Sequence, residues 1–203
     1  MQLGLHQALQ TGDRVVQGAA QLAELVAAGD IVVHDLDGNT PEDPTAKTFL
    51  ERFIHGEISR AHPEVLAIVS CHSPALIPFG VAGVALRPVY HLSAFLGGGV
   101  PIFEIRSAGG MTDLLVSNPR LGKALSDALG HHAVALMRGH GAVMVGPDVK
   151  TAVFRAYYAE MNARLQSQAM ALGKPIVYLE PEEARLASRT IGGTIERPWE
   201  LWR

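Results

Sequence analysis

Apolar side chains recur at helical spacing in four stretches of the chain. Residues three to four positions apart share one face of a helix, so each stretch predicts an amphipathic helix packed on a core. These helices are predicted over residues 12–30, 44–62, 118–130 and 148–173. In the second helix the buried face is expected to comprise Leu50, Phe53, Ile54 and Ile58. In the fourth and longest helix the apolar stripe comprises Val149, Val153, Tyr157, Met161 and Leu165.

The ends of these helices carry their own signals. Pro63 ends the second helix because proline supplies no amide hydrogen. Asn118 is the expected N-cap of the third helix, with Pro119 at its first position.

Short runs of β-branched and other apolar residues separate the helices and predict the strands of a sheet. They lie at residues 31–39, 65–70, 84–91, 100–106 and 133–146, and the last run is divided by a Gly-His-Gly turn. Neither an internal repeat nor a linker-like stretch interrupts the pattern. The alternation therefore predicts one α/β domain over residues 1–203, with helices packed on a sheet.

Composition limits the classes of partner. Hydrophobic residues make up 48% of the chain and charged residues 18%, which favours a homo-oligomer that covers apolar surface. A net charge of -3 with scattered lysines and arginines excludes nucleic acid as an expected partner. The single cysteine, Cys71, indicates a reducing compartment. With neither a signal-peptide pattern nor a long apolar run, we expect a cytoplasmic protein that binds no membrane.

Three residues from separate elements have the chemistry of metal ligands. Side chains alternate along a strand, so Ser70 and His72 share one face at the end of the strand at 65–70, while Cys71 points to the other. His140 stands in the turn between two glycines, which leave its imidazole accessible. Glu51 lies on the predicted second helix. Two imidazoles and a carboxylate suit a divalent cation, although each residue alone also has an ordinary structural explanation.

Further candidates concern the substrate and the proton. His91, which closes the predicted strand at 84–91, is a candidate proton carrier or fourth ligand. A guanidinium matches the planar oxygens of a carboxylate, so Arg138 and Arg87 are candidates to bind a carboxylated substrate. Arg138 is favoured because it lies two residues before His140. Ser73, next to His72, is a third candidate for substrate binding.

Four stretches in this order resemble the class II aldolase/adducin family: "LERFIHGEI", "HSPALIPFG", "RPVYHLSAFLG" and "MRGHGAVMVG". Within that family, "IPFG" and "RPVYH" are similar to the metal-dependent decarboxylases of hydroxyaromatic dicarboxylates and of 2-hydroxy-3-carboxymuconic semialdehyde. The resemblance implies a three-layer α-β-α fold with a mixed, largely antiparallel central sheet. It also implies a homotetramer with active sites between subunits.

The resemblance also implies a metal site in this chain. It implies that His72, His140 and Glu51 hold a divalent metal ion, Zn2+ or Mn2+ rather than Fe2+, and that Glu51 or His91 transfers a proton. Ser70 stands where the family has its first strand histidine, so the metal site is expected to depart from the family's. The N-terminal segment is also expected to be shorter than in the family.

These observations favour a decarboxylase of a small hydroxylated aromatic dicarboxylate or a carboxymuconic semialdehyde-like compound, acting in aromatic-compound catabolism. Three alternatives stay open. A class II aldolase would form a carbonyl product without CO2, and a non-catalytic binding or assembly module would hold little metal. The two-histidine, one-carboxylate set also matches non-haem iron oxygenases, which would consume oxygen.

Overall fold

The computed structural model describes residues 5–11, 14–17, 31–43, 45–46 and 48–202. Within these residues the strands are β1 (Leu5–Thr11), β2 (Arg14–Gln17), β3 (Val32–Asp35), β4 (Ala67–Cys71), β5 (Ile102–Phe103), β6 (Val134–Met137) and β7 (Gly141–Gly146). They form one sheet in the order β3-β2-β1-β4-β7-β6-β5. Neighbouring strands are antiparallel except β5 and β6, which are parallel. The prediction of a mixed, largely antiparallel sheet is confirmed.

Helices cover both faces of this sheet. They are α1 (Arg52–Ala61), α2 (Ile77–Ala82), α3 (Ile105–Gly109), α4 (Pro119–Leu129), α5 (Val149–Ala171), α6 (Pro181–Gly192) and α7 (Glu196–Trp202), with a 3-10 helix at His91–Gly98. Asn118 caps α4 as expected, since its side chain accepts a hydrogen bond from the Leu121 amide. In the described part of the chain, none of the helices combines the length and the apolar character needed to cross a bilayer.

Alternation along β4 divides the core into two layers. Ile68 packs in a cluster with residues of α1 and α4, whereas Val69 packs in a second cluster with residues of α2 and α5. Every residue of β4 is buried, because helices cover the strand on both faces. The architecture is therefore the three-layer α-β-α arrangement that was predicted.

Two predicted helices near the N-terminus need correction. Residues 14–17, inside the helix predicted over 12–30, form β2, paired on both sides with β1 and β3. Hydrogen bonding to two neighbouring strands overrides the helical spacing there, and Val15 and Val16 suit a strand. Residues 18–30 lie outside the described residues. The helix predicted over 44–62 begins at Arg52, after Leu50, which is half exposed.

The buried face of α5 also differs from the predicted stripe. The residues packed against the sheet are Ala152, Ala156, Ala159 and Ala163, all 2% exposed or less. Their small side chains allow the helix axis to approach β4 and β7 closely. Val149 and Val153 of the predicted stripe also pack against this core, whereas Tyr157, Met161 and Leu165 are only partly buried.

Residues 84–91 were predicted to be a strand, and this prediction is wrong. Residues 84–89 form no strand, and their hydrogen-bond partners include amide side chains of α5; His91 begins the 3-10 helix. The Arg87 amide donates to Gln166 Oε1 at 3.0 Å and the Val89 amide donates to Asn162 Oδ1 at 2.9 Å. Of the predicted strand at 100–106, only Ile102–Phe103 forms a strand, β5. The strand ends there because Glu104 is the N-cap of α3, where its side chain accepts a hydrogen bond from the Arg106 amide.

Candidate metal centre

The ends of two neighbouring strands bring His72 and His140 together. β4 and β7 are antiparallel, and Cys71 pairs with Ala142 in their register. The residue that follows β4 and the residue that precedes β7 therefore lie at the same edge of the sheet. The two Nε2 atoms are 2.9 Å apart, and the rings stack with centroids 4.8 Å apart.

A tight turn fixes the position of His140. The His140 amide donates to the Met137 carbonyl at 3.0 Å, which closes the turn between β6 and β7. Gly139 has a φ of +69°, a left-handed conformation that glycine adopts without steric cost. A Cβ on Gly141 would lie 1.9 Å from the Cys71 carbonyl oxygen, so β4 and β7 can approach this closely only with glycine at that position.

The third side chain of this cluster, Glu51, comes from the start of α1 and lies beside His140. It immediately precedes α1 and is only 5% exposed. Its Oε2 atom lies 3.3 Å from His140 Nε2, and its Oε1 atom accepts a hydrogen bond from the Val116 amide at 3.0 Å. Both carboxylate oxygens are thus held in place.

The backbone at Leu114 orients the imidazole of His140. His140 Nδ1 lies 2.9 Å from the Leu114 carbonyl oxygen, and a carbonyl only accepts, so Nδ1 carries the hydrogen. In the neutral ring this leaves the lone pair on Nε2, the atom that faces Glu51 and His72. Leu114 has a φ of +70°, a left-handed conformation that is rare for a non-glycine residue and costs free energy. The loop therefore holds a strained conformation that aims this carbonyl at the imidazole.

Electrostatics in the cluster keep Glu51 ionised. Burial raises the pKa of Glu51, but the hydrogen bond and charge of His140 and the Val116 amide outweigh it, so the pKa is lowered overall. Burial lowers the pKa of His140, yet Glu51 and the Leu114 carbonyl reverse this and raise it. Burial and the nearby His140 lower the pKa of His72, which therefore favours the neutral, metal-binding form.

These three residues fit a divalent cation. One ligand atom from each of Glu51, His72 and His140 lies within 4.8 Å of the others. Ligands at the usual zinc distances stand about 3.4 Å apart around a tetrahedral ion. His140 Nε2 lies at similar distances from the other two ligands, 2.9 Å from His72 Nε2 and 3.3 Å from Glu51 Oε2. His72 is exposed, so the cluster faces solvent on one side. A three-ligand site with one open side is typical of catalytic rather than structural zinc.

Ser70 and Ser73 are both buried. Ser70 is 2% exposed and pairs with Val143 in the register of β4 and β7. The hydroxyl of Ser73, 1% exposed, accepts a hydrogen bond from the Leu76 amide at 3.3 Å and so supports the turn before α2.

The predicted arginines have other partners. Arg138 Nε lies 2.6 Å from Glu104 Oε2, and Glu104 also binds Arg106. Arg87 is exposed and places its guanidinium 4.1 Å from the centre of the Tyr178 ring.

His91 belongs to a different part of the fold. It begins the 3-10 helix and lines a cavity with Phe154 of α5 and Ile191 of α6. Within one chain the described contacts do not join His91 to the cluster at His140. Sequence reasoning missed Leu114 and Val116, because they act through main-chain groups that every residue possesses.

Comparison with known proteins gives the following matches. The family model described as Class II Aldolase and Adducin N-terminal domain matches residues 9–167. Decarboxylase tropJ of Talaromyces stipitatus is 35% identical over 191 residues, covering 84% of this chain and 71% of that protein. The 3,4-dihydroxyphthalate decarboxylase of Arthrobacter keyseri is 31% identical over 189 residues, covering 87% of this chain and 71% of that protein. The enzyme of the same name from Rhodococcus jostii is matched over 51% of its length.

Solved structures share the fold at low identity. An aldolase II superfamily protein from Pseudomonas syringae superposes with a TM-score of 0.76 at 21% identity, covering 99% of this chain and 82% of that one. L-fuculose 1-phosphate aldolase from Glaciozyma antarctica superposes with a TM-score of 0.73 at 20% identity, covering 94% of this chain and 73% of that one.

Proposed function

Because the chain belongs to the class II aldolase and adducin family, we propose that it is a divalent-metal-dependent decarboxylase of a small hydroxylated aromatic dicarboxylate or a carboxymuconic semialdehyde-like compound. The observation that carries the proposal is the convergence of Glu51, His72 and His140 at one edge of the sheet. The choice of reaction is supported by the relatives at 31–35% identity, which are named decarboxylases.

The proposed metal ligands are Nε2 of His72, Nε2 of His140 and the carboxylate of Glu51. Two nitrogens and one oxygen suit Zn2+ or Mn2+. When bound, such a cation acts as a Lewis acid that stabilises negative charge on a substrate oxygen. Since Ser70 stands where the family's first strand histidine is expected, the proposed set contains two histidines rather than three.

The residues around the metal divide the remaining tasks. In the proposed reaction the bond to the departing carboxylate breaks, CO2 leaves, and the electron pair that stays on carbon takes up a proton. Glu51 suits the role of ligand better than that of proton donor, because both of its oxygens are engaged and its pKa is lowered. Arg138, held by Glu104, is the proposed partner of the substrate carboxylate; Arg87 and Ser73 are weaker candidates.

His91 is the proposed proton donor, and it requires a second copy of the chain. The described contacts of His91 lie around the cavity between the 3-10 helix, α5 and α6. We therefore propose a homotetramer in which His91 of one subunit serves the metal centre of its neighbour. Mixing inactive His91→Ala and inactive His140→Ala proteins, followed by subunit exchange, is expected to restore part of the activity. Mixtures as inactive as either variant would contradict this arrangement.

The proposed reaction is tested by measuring CO2. Protein stripped with a chelator and reloaded with Zn2+ or Mn2+ is incubated with 3,4-dihydroxyphthalate and related hydroxylated aromatic dicarboxylates. We expect CO2 and the monocarboxylate in equal amounts, with activity lost in His140→Ala and retained in Glu57→Gln, a control on α1 away from the ligand atoms. A carbonyl fragment formed without CO2 would favour an aldolase. Absence of CO2 across the panel with metal bound would contradict decarboxylation.

A further inference from the structure

Arg155 lines two neighbouring cavities, at the opposite end of β7 from the metal centre. The first, of about 290 Å³, is lined by residues at the end of β7 and before β6, including Gly146, His131 and His132. The second, of about 240 Å³, lies between the 3-10 helix, α5 and α6. Pro147 and Arg155 line both cavities. The Arg155 side chain therefore borders both cavities, and both linings are mostly apolar.

Arg155 is a partly buried cation without an acidic partner among the described residues. Its Nη1 atom donates to the Val145 carbonyl, and no described carboxylate forms an ion pair with it. Asp148 attracts it only at a distance, because that carboxylate caps α5 by accepting the Thr151 amide hydrogen at 2.7 Å. Burial lowers the pKa of Arg155, so the environment disfavours its charge. Charged groups in such surroundings normally have an anion beside them.

Other polar groups around the first cavity do not supply that anion. Glu64 is 68% exposed and lies 3.7 Å from His62 Nδ1. His132 donates through Nδ1 to the Leu129 carbonyl at 2.9 Å, and His131 is exposed. The fixed positive charge at this position is that of Arg155.

The second cavity has the lining of a site for a flat apolar group. Phe95 and Phe154 contact each other edge to face, with ring centroids 6.3 Å apart, and both line this cavity. Ile191 and Ile195 close it from the side of α6, and Ser188 adds a hydroxyl. Small-molecule sites are commonly mostly apolar with one or two polar groups that orient the ligand.

We propose that the second cavity, with the Arg155 guanidinium at its wall, forms a second ligand site, which binds a small aromatic carboxylate. The carboxylate pairs with the Arg155 guanidinium, whose planar donors match its two oxygens. The ring lies against Phe95 and Phe154, where aromatic contacts add to apolar burial. This site uses none of the proposed metal ligands, but His91, the proposed proton donor, also lines its second cavity.

Calorimetric titration of the full chain with benzoate tests the proposal. We expect one benzoate per chain in the His140→Ala protein, whose metal centre is disabled, and at least tenfold weaker binding when Arg155→Gln is added. Acetate lacks the ring and benzyl alcohol lacks the charge, so both are expected to bind at least tenfold more weakly than benzoate. Arg120→Gln is the matched control, because Arg120 also donates to a backbone carbonyl but lines neither cavity.

A second variant keeps the test decisive if Arg155→Gln folds poorly. Ser188→Glu introduces an internal carboxylate at the wall of the cavity, where it can pair with Arg155 and repel benzoate. We expect this variant to bind benzoate at least tenfold more weakly as well. The proposal is overturned if His140→Ala protein does not bind benzoate. It is also overturned if Ser188→Glu binds benzoate as tightly as its parent, or if benzyl alcohol binds as tightly as benzoate.

Discussion

Replacing Glu51 by glutamine separates metal affinity from fold stability. The substitution keeps the size of the side chain, and the amide oxygen of glutamine can still accept the Val116 hydrogen bond, 3.0 Å long in the structure. It removes the negative charge beside His140 Nε2, at a distance of 3.3 Å. The variant therefore tests the charge rather than the packing.

The expected magnitudes differ for the two properties. The Glu51 side chain is only 6% exposed, so solvent screens its charge weakly. A hydrogen bond to a charged group contributes about 1.5–3 kcal/mol, which the lower desolvation cost of glutamine partly offsets. We expect the unfolding free energy of the metal-free protein to fall by about 1 kcal/mol, or about 2–4 °C in Tm. The Kd for Zn2+ should rise at least about 100-fold, since loss of an outer-shell partner alone costs about 10–100-fold.

Two measurements check this prediction. Competition with a chromogenic chelator gives the Kd for Zn2+, and thermal unfolding of chelator-treated protein gives Tm. Glu57→Gln is the matched control, because Glu57 lies on α1, the helix that Glu51 precedes, and its Oε1 atom lies 3.5 Å from Arg60 Nε. A Kd for Glu51→Gln within about threefold of the wild type would refute Glu51 as a ligand.

The pH dependence of the metal-free protein supplies an independent check. The lowered pKa of Glu51 stabilises the fold above its ordinary value of 4.5, and this contribution is lost as pH falls through the folded pKa. The raised pKa of His140 stabilises the fold below its ordinary value of 6.5, and this contribution is lost as pH rises through the folded pKa. The stability difference between wild type and Glu51→Gln should be largest between these values. A difference that is constant with pH would contradict the charge pair.

Three further predictions concern residues around the centre. Ser70→His should lower the Kd for Zn2+, because it adds an imidazole. Position 70 is only 2% exposed, so overpacking should lower the unfolding free energy of the metal-free protein by about 1–3 kcal/mol. Unchanged affinity in a chelator competition would show that this position does not face the ion. Gly141→Ala should lower Tm sharply and weaken Zn2+ binding, because its Cβ would lie 1.9 Å from the Cys71 carbonyl oxygen. Gly192→Ala, where a Cβ meets no atom within 4 Å, serves as its control, and equal Tm values for the two variants would be inconsistent with this contact. Burial raises the pKa of Cys71 to about 12, so its thiol should not react with iodoacetamide at pH 8 in the folded protein. Mass spectrometry should find alkylation only after unfolding in urea. Rapid labelling of the native protein would contradict the burial of Cys71.

Strong local sequence signals were sufficient to predict several helices and strands. The Asn-Pro start and the terminal glycine of α4, the apolar run of β4, and the hairpin of β6 and β7 all lie where the sequence predicts them. In each case the capping residue, turn glycine or apolar run specifies the backbone without reference to distant residues.

The elements that were wrong depend on distant partners. Arg14–Gln17 is a strand because strands pair with it on both sides, although its spacing suits a helix. Residues 84–89 form no strand; Arg87 and Val89 are instead hydrogen-bonded to Gln166 and Asn162 of α5, which lie more than 70 positions away. The local sequence pattern does not distinguish a strand from a segment held by a helix, since side chains can alternate between buried and exposed in both.

By itself, the sequence determined the chemical types at the site: a carboxylate at Glu51, within a predicted helix, and imidazoles at His72 and His140, each beside the end of a predicted strand. Only the tertiary structure decided that these atoms meet, because their convergence depends on β4 and β7 being antiparallel neighbours. It alone also decided their orientation, through the Leu114 carbonyl and the Val116 amide. Main-chain groups are identical in every residue, so their role arises from where the folded backbone places them.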